Sequence, residues 1–157
     1  MQAKELKKII AELTHYAELV SDEQVKKLAD LCYHSRRIFV AGAGRSGFAA
    51  RGFANRLMQL GMETYLVGET VTPAINSEDL LIICSGSGRT SSLLSDAKKA
   101  TEIGAALATL TIFPSAPIGQ LANAVIEIPG GTPKKGRAEQ DVVKSFQPMG
   151  TLFEQLS

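Results

Sequence analysis

The sequence has no tryptophan, only two cysteines and two histidines, and almost no net charge. Cys32 and Cys84 lie far apart and form no C-x-x-C, so neither a dithiol redox motif nor a cysteine zinc site is encoded. Two histidines are too few for a histidine-rich metal centre. Seventeen Lys and Arg stand against sixteen Asp and Glu, a balance of +1 that provides no basic footprint for nucleic acid. No apolar run approaches the ~18 residues of a membrane span. The opening MQAKELKKII lacks the unbroken apolar stretch of a signal peptide. These absences predict a cytoplasmic, reduced, metal-free protein with no nucleic-acid or membrane partner. What is present suits one folded domain: 157 residues, 45% hydrophobic and 21% charged, too apolar for disorder and long enough for a core.

The hydrophobic period changes along the chain. Leu6, Ile9, Ile10, Leu13, Ala17 and Val20 form a helical stripe over 4–20. Ser21 and Gln24 have capping-box spacing for a second helix that buries Val25, Leu28, Ala29 and Cys32 and ends near His34. Solid apolar runs then alternate with helical segments. Strands are predicted at 37–41, 63–67, 79–84, 106–112 and 124–128, and helices at 46–60, 91–103 and 117–123. The helix at 46–60 is expected to pack Phe48, Phe53, Ala54, Leu57 and Met58. Strands that are apolar throughout and alternate with helices predict an α/β fold, a parallel sheet covered on both faces. Residues 1–35 add two helices in front of it. The segment 129–145 reads as a mobile loop. Met149, Leu152, Phe153 and Leu156 start a last helix of about nine residues, expected to be cut short by the chain's end at Ser157.

Two glycine loops follow strands and precede helices. In Gly42-Ala43-Gly44-Arg45-Ser46-Gly47 the pattern is G-x-G-x-x-G, and Glu69 lies 22 residues beyond Gly47, where a dinucleotide fold places its ribose-binding acid. Arg45 and Ser46 in the variable positions suit a compact polar ligand better than an extended pyrophosphate. In SGSGRTSS, Ser85, Ser87, Thr90, Ser91 and Ser92 put five hydroxyls within eight residues, on a turn opened by Gly86 and Gly88. The helix after that turn offers free N–H groups, which together make an anion site without being a Walker loop. In a parallel sheet both loops lie at the carboxyl ends of strands, so one crevice is expected to serve both. Glu154, next to Phe153 on the last helix, becomes a usable base if it faces that crevice.

The ordered segments IFVAGAGRSGFAARGFANRLMQLG, YLVGETVTPAI, DLLIICSGSGRT and FQPMGTLFEQ resemble the 6-phospho-3-hexuloisomerases of the sugar isomerase (SIS) domain superfamily, across residues 4–157. The resemblance implies a single SIS domain with a five-stranded parallel sheet sandwiched by helices. It implies interconversion of 3-hexulose 6-phosphate and fructose 6-phosphate through an enediol, in formaldehyde fixation by the ribulose monophosphate route or its reverse. It implies a homo-oligomer, commonly a tetramer, that needs no cofactor. It also puts the phosphate on Ser85, Ser87 and Thr90 with the backbone of Gly86 and Gly88, and substrate contacts on Arg45 and Ser46. Glu154 matches the family's proton-transferring glutamate. Arg89 departs from the acidic residue that many relatives carry, and two roles stand open for it: strengthening phosphate binding or pointing to solvent. The family continues beyond this chain with a helix and a basic tail, where a ring-opening histidine is expected. Two other readings stand beside this one: a non-catalytic SIS sensor of a sugar phosphate, and a dinucleotide-dependent oxidoreductase built on GAGRSG and Glu69.

Overall fold

A computed structural model describes residues 3–132, 143 and 145–157. The element order is α1 (Lys4–Ala17), α2 (Asp22–His34), β1 (Ile38–Gly42), α3 (Gly44–Gln59), β2 (Thr64–Leu66), β3 (Leu80–Cys84), α4 (Ser91–Ile103), β4 (Ala106–Thr111), α5 (Pro117–Leu121), β5 (Ala124–Glu127) and α6 (Thr151–Leu156). The five strands form one sheet in the order β2-β1-β3-β4-β5, with every pairing parallel. Alternate strand residues face opposite layers. Ile38, Val40, Leu80 and Ile82 pack with α2, α3 and α6, and Phe39, Leu81 and Ile83 pack with α4 and α5. Two-sided burial is why these strands are apolar at every position.

Helix boundaries follow local chemistry. The Ser21 hydroxyl accepts from the Gln24 amide at 3.4 Å and caps α2. The Gln24 side chain does not close the box: its Oε1 accepts instead from the Glu127 amide at 2.9 Å and ties α2 to β5. Gly104 takes φ 85° and ends α4 in the left-handed conformation that glycine adopts at no steric cost.

The helical stripes are less deeply buried than their periodicity predicts. No residue of α1 is buried, and Leu6 and Ile10 are more than half exposed. On α2 only Leu28 and Cys32 are buried, while Val25 is exposed. Helix α3 starts at Gly44, inside the glycine loop, and buries Ala50, Ala54 and Leu57, leaving Phe48 and Met58 exposed. Close helix–sheet approach favours small side chains such as Ala50 and Ala54 at the contact, while Leu57 and Phe53 pack at its margin and Phe48 and Met58 turn outward. The last helix is shorter than expected, with Met149 outside it and exposed. Most of the 129–145 loop lies outside the described residues.

The amino ends of the strands are held by a buried ion pair. Asp79 immediately precedes β3 and is 1% exposed. Its carboxylate accepts from Arg37 Nε at 3.1 Å and from the second guanidinium nitrogen at 2.7 Å, and from the Asn76 amide at 2.8 Å. Burial pushes the Asp79 carboxyl up, but the Arg37 hydrogen bonds, the Asn76 amide and the charges of Arg37 and Arg36 outweigh it and hold the group below its ordinary value. A depressed carboxyl contributes stability that is complete above the unfolded value, near pH 4, and is lost as pH falls through the folded value. Urea titrations of the wild type are expected to show stability falling below about pH 4. Asp79→Ala is expected to lower the urea midpoint strongly at pH 7, because Arg37 loses its partner, and to flatten this acid dependence.

Candidate active site

Parallel pairing sets the geometry of the site. Gly42, the last residue of β1, is in register with Cys84, the last of β3. The two glycine loops therefore leave the sheet side by side, about 5 Å apart at their origins. In this strand order the connection reverses between β1 and β3, the position where open α/β sheets place their ligands.

The first loop is a tight crossing. A side chain on Gly42 would lie 2.9 Å from Gly47 Cα, and Gly44 sits at φ 59°. Helix α3 begins there with Ala43 as its N-cap and no side-chain cap. In the second loop, Ser85 and Ser87 are buried, and the Ser87 hydroxyl accepts from the Arg89 amide at 3.3 Å. Gly88 takes φ 59°, and an added Cβ would stand 2.6 Å from Ala116 Cβ, so only glycine fits this turn. Thr90 is the N-cap of α4, but its side chain makes no cap hydrogen bond. Two uncapped helix starts thus aim backbone N–H groups and partial positive charge into one space.

The third wall comes from the chain's end. Phe153, 2% exposed, packs beside Gly86, where an added Cβ would touch its ring at 3.5 Å, an ordinary contact distance. Gly130 lies closer, since a Cβ there would meet Phe153 Cβ at 3.0 Å. This anchor fixes α6 beside the serine loop and sets Glu154 at the crevice. Glu154 Oε1 lies 3.1 Å from Arg45 Nε, and a terminal guanidinium nitrogen of Arg45 donates to the Met149 carbonyl at 2.8 Å. Gly150, at φ 92°, lies under that guanidinium, and a Cβ there would be 2.7 Å from an Arg45 nitrogen.

These walls enclose a cavity of about 220 Å³ lined by Arg45, Ser46, Ser85, Gly86, Ser87, Thr90 and Glu154, among others. Gly88 and Arg89 are not part of the lining: Gly88 shapes the turn, and Arg89 is on the exposed side. Periodicity and motif reading passed over Gly131, Thr132 and Gly150, which also line it. Gly150 falls inside the segment predicted as the last helix and is instead the left-handed N-cap of α6. Cys84 lines the cavity too, but burial pushes its thiol up to about 12, which keeps it an inert neutral wall. Among the described residues no group of three or more His, Cys, Asp or Glu side chains is gathered to hold a metal ion. Glu69, the acid a dinucleotide site would require, pairs with Arg51 at 2.6 Å and does not line the cavity.

The sequence and the fold that carry this cavity match known proteins. The family model of the SIS domain covers residues 31–157. The 3-hexulose-6-phosphate isomerase of Bacillus subtilis is 44% identical over 94% of this chain and 78% of its own length. The enzyme of the same name from Mycobacterium gastri is 41% identical over 92% of this chain and 71% of its own. A Methanococcus jannaschii protein, whose crystal structure infers a 3-hexulose-6-phosphate isomerase function, is 34% identical with a TM-score of 0.78, covering 97% of this chain and 82% of that one. The chain belongs to the SIS domain family, in its branch of 3-hexulose-6-phosphate isomerases.

Proposed function

We propose that this protein interconverts 3-hexulose 6-phosphate and fructose 6-phosphate. The observation that carries the reading is the meeting, in one cavity, of the serine loop and the Arg45–Glu154 pair. The similarity to three enzymes named 3-hexulose-6-phosphate isomerase supports it.

In this reading the phosphate lies on Ser85, Ser87 and Thr90, with the backbone of Gly86 and the free N–H groups that open α4. Gly88 acts through the turn it shapes, and Arg89 adds positive charge from outside the cavity. Binding at the phosphate, remote from the reacting carbons, orients the sugar. The carbonyl of fructose 6-phosphate is at C2, and the proton to be removed is on C3. Glu154 takes that proton, an enediolate forms across C2 and C3, the C3 hydroxyl proton passes to the C2 oxygen, and the protonated carboxyl returns its proton to C2, which leaves the carbonyl at C3. Oε1 faces Arg45, and Oε2 has no protein partner among the described residues, which leaves it for the proton. Arg45 and Ser46 border the space where the enediolate oxygens develop charge, so they are the donors that stabilise it. The reaction needs no redox cofactor, because hydrogen moves within one molecule.

The physiological setting we propose is formaldehyde fixation by the ribulose monophosphate route or its reverse, in the cytoplasm, where the free, buried Cys32 and Cys84 stay reduced. No helix of the described residues is long and apolar enough to cross a membrane. We also propose a homotetramer: the exposed Leu6 and Ile10 on α1 supply an apolar face for self-association.

Glu154→Gln is expected to bind fructose 6-phosphate as the wild type does, yet to lose exchange of the C3 proton with D2O by about 10²–10⁴-fold. Unchanged exchange, followed by NMR, removes Glu154 from the mechanism. Ser85→Ala is expected to weaken binding of inorganic phosphate and of fructose 6-phosphate together, by about 10-fold or more, as for a lost hydrogen bond to a charged group. Thermal shift separates the other readings. Stabilisation by fructose 6-phosphate without turnover indicates a sensor, and stabilisation by NAD(P) alone indicates an oxidoreductase.

A further inference from the structure

The six-residue α6 is too short to hold itself, and the segment 145–150 that leads into it has no regular structure. Its buried side chains, Leu152 and Phe153, fix depth but leave the orientation of the lead-in segment to polar contacts. Those contacts come from α1. Glu12 Oε2 accepts from the side-chain amide of Gln147 at 2.7 Å, and Glu12 Oε1 accepts from the Phe146 amide at 3.3 Å. The same Gln147 nitrogen donates to Gln155 Oε1 at 3.0 Å. A primary amide has two donor hydrogens, so Gln147 is filled, one hydrogen to α1 and one to α6. Gln155 is the neighbour of Glu154. The backbone of Gln147 is set as well, by donation to the Ser145 hydroxyl at 3.0 Å.

We infer that Glu12 is a positioning residue for the reaction: through Gln147 and Gln155 it fixes α6 and holds the Glu154 carboxylate at the crevice. Two features of the fold give this contact weight. Helix α1 buries none of its residues in this chain. Its one carboxylate on the α6 side is engaged by two donors of the lead-in segment. On the other flank of that segment, Arg45 takes the Met149 carbonyl and Glu154 itself. The segment is therefore held between one anchor on α1 and one on α3. The serine loop is on neither path. Loss of the α1 anchor reaches the carboxylate and spares the phosphate.

The inference rests on the isomerase reading, and its test keeps the two separable. Glu12→Ala, Gln147→Ala and the double variant are compared with the wild type by exchange of the C3 proton of fructose 6-phosphate in D2O. The expected result is a fall in kcat of roughly 10–100-fold for each single variant, as for a reacting group displaced by about 1 Å, with KM changed less than about 3-fold. The double variant is expected to be no slower than the slower single one, because both substitutions cut the same path. Glu12→Gln, which keeps one acceptor oxygen, restores most of the rate. Glu5→Ala, which breaks only the exposed pair with Lys8 on α1, leaves it unchanged. An unchanged kcat, effects that multiply, or a raised KM at constant kcat each overturn the inference. Gln147→Ala leaves α1 intact and decides the matter if Glu12→Ala does not fold. If the wild type shows no turnover, the isomerase reading fails, and amide hydrogen exchange decides the positioning role by itself. Faster exchange over 151–156 in Glu12→Ala, with 80–84 unchanged, supports it, and equal exchange overturns it.

Discussion

Everything at the functional end of this molecule depends on one register. Gly42 and Cys84 are paired in a parallel ladder, so two chains leave the sheet at the same height and on adjacent tracks. Each turns at once into a helix, and neither helix start is covered by a side-chain cap. The unsatisfied amides of both helices then share one volume. A shift of the ladder by one residue would exchange the two faces of β1 or β3 and rotate one loop away from the other. The completely buried strands forbid that slip, because Val40, Ile82 and Ile83 have no exposure to spare.

The electrostatics follow from the same arrangement. In a protein of net charge +1, positive potential in the cavity comes from neutral donors and helix ends rather than from a basic surface. Among the described residues one arginine, Arg45, lines the cavity, and it is turned toward the Glu154 carboxylate. That pairing keeps the local charge low and leaves a guanidinium beside the carboxylate. The thiol of Cys84 also lines the cavity, and burial pushes it up to about 12, so it stays neutral there.

How much of this is legible from residues alone depends on the range of the interaction. Strands and their order along the chain are visible because two-sided burial makes DLLIIC and IFVA apolar at every position. The serine loop is visible because its hydroxyls and glycines are consecutive. Burial of helices is not, because periodicity shows which side is apolar and not what covers it. Thus α1 has a clean stripe and no buried residue, and Phe48 and Met58 point outward where Ala50 and Ala54 meet the sheet. The Arg45 contact with the Met149 carbonyl spans 104 positions, and that of Gln147 with Glu12 spans 135. No local pattern encodes either one. Both belong to the assembled fold, in which α1 and α3 lie beside the segment that leads into α6.

The Asp79–Arg37 clamp and the two glycine loops occupy opposite ends of the same strands. Adhesion is thereby concentrated at one rim and the cavity at the other, with the buried strands β1 and β3 between them. A change confined to the loop hydroxyls therefore lies a full strand length from the ion pair that fastens β1 to β3, so wear at one rim need not reach the other.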